Sequence, residues 1–402
     1  MKDISEEDVV DYVTRLKAHV SDHERWRTKE TLNLLAAENF ASEETRSFLS
    51  SDLSNRYTAR DNFYRGTKYS DQVETLAVEV AKKLFRAKFA DVRPLSGHTC
   101  SMILFMSLLK PRDKIVTCPP KYGGYPGSSE LGLGPLLNLK NLYFSYDPEV
   151  MNVIPADSKK FIAKESPEMI VFGSSFIPFP YDIKNSLPED YQGITTYDGS
   201  HVLGLIAGGQ FQSPLNEGCS ILMGSTHKSL FGPQGGLMLS NDDRIFSLID
   251  SKIFPGIVDN VHLNRVASLC YAMIELLKFG PEYASQIVRN SQALAKALAE
   301  SGVPVKCRNI GYTKSHQVLL GYEEKVTPQI ADFLQDCDII VDAGIRLGTS
   351  EVTRRGMKET EMEEIAEIIS DGLVKKKSSD ELKKRVQSLV SEFSSTVAFT
   401  LR

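Results

Sequence analysis

Several features that would place the chain in a specialised class of protein are missing from its sequence. No run of about 18 consecutive apolar residues occurs, so the sequence offers no membrane-spanning helix. The six cysteines are widely separated and form no C-x-x-C pair, which favours reduced, buried thiols over a disulfide framework. Residues 1–8 are acidic and polar, unlike a secretory signal peptide. We therefore expect a cytoplasmic globular protein.

The sequence signatures of dinucleotide, ATP and metal enzymes are also missing. There is no G-x-G-x-x-G after a strand and no Walker lysine. The seven histidines show no H-E-x-x-H or other ligand spacing, so we expect no metal. Net charge is −5 with acids and bases mixed along the chain, and no basic tail or stripe indicates nucleic acid as a partner.

What is present indicates two domains and an N-terminal arm. With 402 residues, 42% of them hydrophobic, the chain is long enough for two substantial cores. Residues 1–40 predict a helical arm that begins near Ser5. Its apolar stripe predicts docking on another surface, such as a second subunit; the stripe consists of Val9, Val10, Val13 and Leu16.

Residues 41–270 alternate short apolar runs with helical segments. This alternation predicts an α/β large domain with a mostly parallel sheet covered on both faces. Helices are expected at 71–87, 99–109 and 260–279, with another beginning at Pro281. Residues 271–402 predict a smaller C-terminal α+β domain.

One lysine, Lys228, lies in a glycine-rich turn between two short apolar runs, 220–223 and 237–239. A lysine that is desolvated in such a place can lose its proton near neutral pH and form a Schiff base with an aldehyde. Most lysines are nevertheless solvated. The assignment of Lys228 therefore depends on the residues that the fold brings to it.

Polar residues end several of the expected strands, and the carboxyl ends of such strands share one edge of a sheet. These residues are Ser96, Ser174, Ser175, Asp198, His201 and Lys228. Ser96 and Gly97 also begin a helix, whose backbone N–H groups and dipole suit a phosphate. A carboxylate, a lysine and a phosphate site are together the requirements of pyridoxal phosphate.

The sequence resembles the serine hydroxymethyltransferase family as a divergent member, from about Leu32 to Ile369. That family consists of pyridoxal-phosphate enzymes of fold type I, the aspartate-aminotransferase fold. Its most specific motifs here are the T-H-K that ends at Lys228 and the paired G-I-R-x-G-T and T-R-R-G. The matching segments are 34–40, 55–57, 94–97, 123–124, 198–205, 225–228, 232–236, 254–256, 344–349 and 353–356.

The resemblance implies a role for individual residues at the cofactor. Lys228 would carry the cofactor, Asp198 would pair with its ring nitrogen, and His201 would lie by its ring oxygen. The other cofactor-binding residues implied are Ser96 and Gly97 at the phosphate with help from Ser225, Ser175 near the ring hydroxyl, Tyr122 in place of the ring-stacking histidine, and His98.

The resemblance also implies how the substrate is held. Arg346 would bind the carboxylate of an amino acid through a bidentate pair. Tyr57 and Tyr64 would reach the site from the partner subunit of a homodimer with shared active sites, with Tyr64 also at the substrate. His227 would handle protons or orient neighbours.

The chain departs from the family pattern mainly on the substrate and folate side. A family serine is Ala37, a family glutamate is Ala59 with Asp61 nearby, and a family arginine is Gln234. Residues 257–260 replace a glycine-rich phosphate turn, and the loop before Gly344 is shorter than in the family.

Three functions remain open from the sequence. The first is a hydroxymethyltransferase-like enzyme acting on the Cα–Cβ bond of serine or a related β-hydroxy amino acid, with or without a pterin carrier. The second is a pterin-independent aldolase of the threonine type. The third is a homologue that keeps the fold without catalysis.

Overall fold

The computed structural model describes residues 4–58 and 63–401. Ala59 and Asp61, two of the positions discussed above, lie outside the described residues. Within these two ranges no helix is long and apolar enough to cross a membrane. The same ranges hold no group of three or more histidine, cysteine, aspartate or glutamate side chains arranged to bind a metal ion.

The helices and strands are numbered along the chain. The helices are α1 (Glu6–Arg25), α2 (Glu43–Ser47), α3 (Ser70–Phe85), α4 (Gly97–Leu108), α5 (Leu133–Leu136), α6 (Pro155–Glu165), α7 (Ile183–Ser186), α8 (Leu203–Ala207), α9 (Asp243–Lys252), α10 (Leu263–Glu300), α11 (Thr327–Asp336), α12 (Ser350–Arg354), α13 (Glu359–Leu373) and α14 (Ser379–Phe393). The strands are β1 (Leu32–Asn33), β2 (Phe89–Asp91), β3 (Lys114–Thr117), β4 (Lys140–Tyr143), β5 (Tyr146–Asp147), β6 (Asn152–Val153), β7 (Met169–Phe172), β8 (Ile194–Asp198), β9 (Ile221–Ser225), β10 (Gly236–Ser240), β11 (Gln317–Leu319), β12 (Ile339–Ile340) and β13 (Arg346–Gly348).

The largest sheet of the described chain has seven strands in the order β2-β10-β9-β8-β7-β3-β4. Neighbours from β9 to β4 are parallel, and only β10 runs antiparallel to both of its neighbours. β2 consequently points the same way as β9. The carboxyl ends of β2, β3, β7, β8 and β9 therefore share one edge, as the alternating sequence pattern predicts.

Strands β7 and β9 are buried at every residue, which explains their continuous apolar sequences. Apolar clusters lie on both faces of the sheet, one including Phe172 and Leu222 and the other including Val171 and Met223. This packing follows the period of two along a strand, since successive side chains point to opposite faces.

A third apolar cluster lies beyond the seven-stranded sheet. It packs helices α11, α13 and α14 against two small pairs of strands, parallel β1–β12 and antiparallel β11–β13. Helix α10 contributes both to the sheet cluster that includes Phe172, through Met273, and to this third cluster, through Leu294. The domain limits at 40/41 and 270/271 stay predictions.

Helix α10 corrects one expectation, because Pro281 lies inside a single helix instead of starting a second one. A proline in a helix interior costs about 3 kcal/mol. Long stretches of α10 are buried on both sides of Pro281, including Leu276 and Ile287. Burial of a large apolar side chain contributes about 1.5–3 kcal/mol, so a few such residues outweigh the proline.

Helix α1 begins as the sequence predicts, at a capping box in which Ser5 accepts from the backbone of Asp8. Its apolar stripe is exposed within the described chain: Val9, Val13 and Leu16 are 50%, 46% and 65% accessible. The stripe is thus left without packing partners in the single chain.

A fully buried ion pair joins α10 to α12. Arg354 Nη2 donates to Glu275 Oε2 at 2.5 Å, and both side chains are inaccessible to solvent. Replacing Glu275 with leucine leaves the guanidinium without its counter-charge, so we expect the free energy of unfolding to fall by about 3 kcal/mol. Urea unfolding measures it. The double variant Glu275→Leu/Arg354→Met should recover only part of the loss, because the carbonyls of Ala398 and Phe399 then lose their hydrogen bonds from Arg354. A single variant as stable as wild type would contradict this expectation.

Candidate active site

A cavity opens at the carboxyl edge of the seven-stranded sheet, with about 380 Å³ of empty space, part of it open to solvent. Ser174 and Ser175 follow β7, Asp198 ends β8, and Ser225 ends β9. The residues that line the cavity are Gly97, His98, Tyr125, Ser174, Ser175, Asp198, Ser200, His201, Ser225 and Lys228. The fold thus brings together most of the residues that the sequence analysis singled out.

The turn that carries Lys228 is fixed by hydrogen bonds on both sides. Thr226 Oγ1 donates to the Pro233 carbonyl at 2.6 Å, and Gly232 N–H donates to the Thr226 carbonyl at 2.8 Å. Phe231, in the left-handed region at φ 53°, donates its N–H to the Lys228 carbonyl at 3.0 Å. A tight, buried turn therefore sets the direction of the Lys228 side chain.

Two residues from distant parts of the chain hold the backbone of Lys228. Asn39 Nδ2 lies 2.8 Å from the Lys228 carbonyl and 2.8 Å from Tyr283 Oη, donating to both. Tyr283 Oη in turn donates to the Ser229 carbonyl at 3.0 Å. Sequence reasoning gave neither residue a role, because an asparagine and a helical tyrosine carry no local signal for such contacts.

The amine of Lys228 is tuned for chemistry near neutral pH. Its Nζ lies 3.4 Å from His201 Nε2 at the partly buried end of the cavity. Burial lowers the pKa of Lys228 to about 8; the carboxylate of Asp198 opposes this shift and the guanidinium of Arg346 adds to it. A substantial fraction of the amine is therefore neutral and nucleophilic at physiological pH.

One carboxylate oxygen of Asp198 is hydrogen-bonded within the chain, and the other is left available in the cavity. Its Oδ1 accepts from the backbone and hydroxyl of Ser200 at 3.0 and 2.6 Å. Ser200 Oγ also accepts from the Ser225 N–H at 2.9 Å, linking β8 to β9. No hydrogen bond to Asp198 Oδ2 is recorded across residues 4–58 and 63–401, so this oxygen can accept from a ring N–H in the cavity. Sequence reasoning missed Ser200, although its spacing from Asp198 is a usable signal.

The start of α4 forms one end of the cavity, through Gly97 and His98. Ser96 caps the helix, and its Oγ accepts from the Thr99 N–H at 3.0 Å. A Cβ placed on Gly97 would lie 2.3 Å from Ser225 Oγ, so only glycine lets the helix start approach β9 so closely. Free N–H groups and hydroxyls converge there, as a phosphate requires.

A neutral pair of histidines lies behind Lys228. The rings of His201 and His316 stack with centroids 5.8 Å apart and planes within 12°. His316 Nε2 donates to the Ala36 carbonyl at 3.1 Å. Burial lowers the pKa of His201 well below its usual range, with further lowering by Lys228 and Arg346, and burial lowers the pKa of His316 to about 3. His201 Nε2 is therefore an acceptor; sequence reasoning missed His316 because it lies in none of the matching segments.

Arg346, at the start of β13, contacts two residues of the cavity lining, Ser175 and His201. Its Nη1 donates to the Ser175 carbonyl and lies 3.5 Å from His201 Nε2. Its Nε donates to Asp342 Oδ2 at 3.0 Å. Ile345 precedes it at φ 52°, a strained conformation for a β-branched residue and one that clusters at functional sites. The guanidinium of Arg346 and the amine of Lys228 thus both lie close to His201 Nε2.

The Ser175 carbonyl, which accepts a hydrogen bond from Arg346, is held in place by a buried amide side chain. Gln317 Nε2 donates to the Ser175 carbonyl at 3.0 Å, and its Oε1 accepts from the Ile177 N–H at 2.8 Å. Gln317 is fully buried at the start of β11. It therefore ties the segment after β7 to the strand pair that carries Arg346, a contact invisible in the sequence.

The aromatic residue of the cavity is Tyr125, and the sequence analysis named Tyr122. Tyr122 stacks instead on Tyr146, with centroids 5.1 Å apart and planes within 10°, on the wall of a second cavity. Between the two tyrosines, Gly123 turns the backbone at φ 92°. This turn separates their side chains, and it puts Tyr125 Oη 3.1 Å from His98 Nδ1.

Three predicted catalytic residues lie outside the cavity in the described chain. The rings of Tyr57 and Tyr64 stack 4.7 Å apart at the surface, 48% and 45% exposed. His227 lines a different cavity together with Glu38 and Arg355. Burial and the neighbouring Lys228 lower the pKa of His227 to about 4, so its ring is neutral.

These residues fit pyridoxal phosphate. The free Oδ2 of Asp198 suits the ring nitrogen, and the lowered pKa of Lys228 suits the aldehyde. The space that glycine leaves between α4 and Ser225 suits the phosphate. The chemistry required by the cofactor is therefore present at one sheet edge.

Comparison with known proteins agrees with this fit. Residues 12–369 match the sequence model of the family described as serine hydroxymethyltransferase. The chain is 38% identical over 400 residues to the serine hydroxymethyltransferase of Methanocaldococcus jannaschii, covering 93% of this chain and 92% of the relative. It is 36% identical over 403 residues to that of Pyrococcus abyssi, covering 94% of each.

A solved structure supports the same assignment. The L-threonine transaldolase of Pseudomonas fluorescens superposes with a TM-score of 0.90 at 25% sequence identity, covering 98% of this chain and 94% of the other. The α/β fold expected from the sequence, fold type I with pyridoxal phosphate as cofactor, is confirmed. Motifs, fold, site and relatives converge, and the chain belongs to the serine hydroxymethyltransferase family.

Proposed function

We propose that this protein is a hydroxymethyltransferase that uses pyridoxal phosphate to cleave or form the Cα–Cβ bond of serine or a related β-hydroxy amino acid. The observation that carries the proposal is the convergence of Lys228 and Arg346 on one histidine. They lie 3.4 and 3.5 Å from His201 Nε2. An amine for the cofactor and a guanidinium for a carboxylate are thereby set a few ångströms apart.

Each end of the cofactor has partners in the chain. The cofactor supplies an electron-poor ring that stabilises negative charge at Cα. Asp198 Oδ2 would hold its ring N–H, keeping that charge-withdrawing form. Ser96, Gly97 and Ser225 would hold the phosphate through hydroxyl and backbone donors.

The amino acid is oriented by Arg346. A bidentate pair with the substrate carboxylate would fix the rotation about the bonds of Cα and so select which of them reacts. Asp342 and the Ser175 carbonyl hold the guanidinium, and Gln317 holds that carbonyl in place. The Lys228 amine, with its pKa near 8, would move a proton at Cα when it is free.

A second cavity beside the first supports a pterin as the one-carbon carrier. It has about 1120 Å³ of empty space, part of it open to solvent, and its lining includes Tyr122, Phe176 and Tyr322 together with Lys121, Lys306 and Glu324. The Phe176 ring also lies 5.3 Å from the Arg346 guanidinium. Flat apolar walls suit an aromatic ring system, and two ammonium groups suit an acidic tail.

The alternative, an aldolase of the threonine type, is favoured by one comparison. The similar solved structure is named an L-threonine transaldolase. The test is glycine formation from L-serine and from L-threonine by the protein loaded with pyridoxal phosphate, with and without tetrahydrofolate or tetrahydromethanopterin. Pterin-dependent glycine from serine supports the hydroxymethyltransferase. Glycine formation from threonine at the same rate with and without a pterin supports the aldolase.

We also propose a homodimer with shared active sites. Tyr57, Tyr64 and the α1 stripe are exposed in the single chain, which leaves them available to a second copy. Sedimentation should give twice the 44.8 kDa of one chain. If sites are shared, a mixture of inactive Lys228→Gln and Tyr57→Ala chains should regain activity, because one of two hybrid sites is intact. A mixture that stays inactive despite subunit exchange would contradict sharing.

We place the protein in the cytoplasm. All six cysteines are free thiols and buried. Such thiols persist where the environment is reducing.

The lowered pKa of Lys228 predicts how cofactor-free protein takes up pyridoxal phosphate. Only the neutral amine attacks the aldehyde. With a pKa of about 8, its neutral fraction rises about tenfold per pH unit below pH 8 and then levels off. Stopped-flow absorbance should show the uptake rate following this curve. A rate that keeps rising in proportion to hydroxide up to pH 10 would indicate an ordinary lysine.

A further inference from the structure

One polar pair at the edge of the cavity has no part in the proposal so far. Tyr125 Oη lies 3.1 Å from His98 Nδ1, and the two rings meet edge to face at 72°. Both side chains line the cavity that also holds Asp198 and Lys228. Tyr125 follows β3 and His98 is the second residue of α4, so the pair bridges two elements that meet at the sheet edge.

The contact between Tyr125 Oη and His98 Nδ1 fits either direction, because a phenol both donates and accepts, and we take Tyr125 as the donor. Burial raises the pKa of its phenol, and the nearby Asp198 carboxylate raises it further, so the hydroxyl keeps its proton. A neutral imidazole has one protonated and one bare nitrogen. With the Tyr125 hydroxyl donating to Nδ1, the bare nitrogen is Nδ1 and the proton resides on Nε2.

The free nitrogen of His98 is placed for an anion. In the described chain no hydrogen bond to His98 Nε2 is recorded, whereas Nδ1 is engaged by Tyr125. His98 lies in the first turn of α4, beside Ser96 and the close approach of Gly97 to Ser225. A histidine carrying its proton on Nε2 adds a side-chain donor where the helix start already offers backbone donors.

We infer that Tyr125 acts as a positioning residue by fixing the Nε2-protonated tautomer of His98, which makes His98 a donor to the phosphate of the cofactor. This inference rests on the binding of pyridoxal phosphate in the proposed function, and it requires no turnover. A hydrogen bond to a charged group contributes about 1.5–3 kcal/mol, so its loss should weaken cofactor binding about tenfold or more.

Two replacements of His98 distinguish the roles of its two ring nitrogens. The amide nitrogen of glutamine can occupy the place of Nε2, and that of asparagine can occupy the place of Nδ1. The dissociation constant of pyridoxal phosphate should stay within about threefold of wild type in His98→Gln and rise about tenfold in His98→Asn and Tyr125→Phe. Pyridoxal, which lacks the phosphate, serves as the matched probe, and its affinity should change in none of the three variants. Equilibrium dialysis measures both ligands, with thermal unfolding as a check on folding.

The tautomer is measured directly by ¹⁵N NMR of histidine-labelled protein with bound cofactor, with His98 assigned by its loss in His98→Gln. Wild type should show a bare Nδ1 and a protonated Nε2, and Tyr125→Phe should show a mixture of the two tautomers. A protonated Nδ1 in wild type would overturn the inference. Equal weakening of pyridoxal and pyridoxal phosphate by Tyr125→Phe would also overturn it, assigning Tyr125 to the ring alone. Phosphate-dependent binding without serine cleavage would instead overturn the proposed function and leave this inference standing.

Discussion

Replacing Lys228 with glutamine is expected to lower kcat for serine cleavage by about 10⁴-fold or more, because the variant loses both the covalent tether of the cofactor and the amine that moves a proton at Cα. No neighbouring group can substitute for it. His201, the nearest base, is buried behind the amine and has a strongly lowered pKa. The visible spectrum of the protein should change as well, since the cofactor is then held without a covalent bond.

A matched control is Lys160→Gln on α6, where the side chain is 81% exposed and pairs only loosely with Asp157 at 3.8 Å. Its kcat and spectrum should equal those of wild type. A Lys228→Gln protein that keeps kcat within about tenfold of wild type would remove Lys228 from the chemistry.

Replacing Arg346 with lysine is expected to lower kcat/KM for serine by about 10³-fold, through a higher KM and a lower kcat. Lysine keeps the charge but cannot form two parallel hydrogen bonds to a carboxylate. It also cannot bond Asp342 and the Ser175 carbonyl together, so the remaining cation is less well placed. Loss of orientation at Cα explains the effect on kcat.

The affinity for pyridoxal phosphate separates a substrate role from a structural one. It should stay within about threefold of wild type in Arg346→Lys, because the phosphate site lies at α4, on a different element. The control is Arg289→Lys, at a half-exposed ion pair with Glu359. It should change neither kcat/KM for serine nor the affinity for pyridoxal phosphate. Unchanged kcat/KM in Arg346→Lys would assign the substrate carboxylate to another residue.

The residues that the sequence could predict are those with a local signal. Asp198 and Ser225 end buried strands, and Ser96 begins a helix, so the rule for parallel sheets gathers them at one edge. Lys228 is predicted by its turn and motif. For these positions the chain a few residues on either side determines where the side chain lies.

The residues that the sequence could not predict owe their place to long-range contacts. Asn39, Gln317 and His316 bond to backbone groups far away along the chain. Their types are ordinary for a core or a loop, so no spacing marks them. Whether Tyr122 or Tyr125 enters the cavity depends on the turn at Gly123. A motif locates the aromatic residue only to within a few positions.

The departures from the family pattern lie mostly where the single chain is open. Gln234, Asp259 and Asn260 are exposed and Ala37 is partly buried, whereas Ala59 lies outside the described residues. By contrast, hydrogen bonds from four separate parts of the chain hold the residues around Lys228 and Arg346 in place. This contrast supports a retained chemistry at Cα with a substrate side that differs from the family pattern.

Lys228, Asp198 and Arg346 are together expected to activate the bonds at Cα of a bound amino acid. Exchange of the glycine α-proton in D₂O, followed by proton NMR, measures this activation without a pterin or a second substrate. The protein loaded with pyridoxal phosphate should replace one of the two α-protons, and Lys228→Gln should abolish the exchange. Absence of exchange at saturating glycine, with cofactor bound to the wild-type protein, would contradict this expectation.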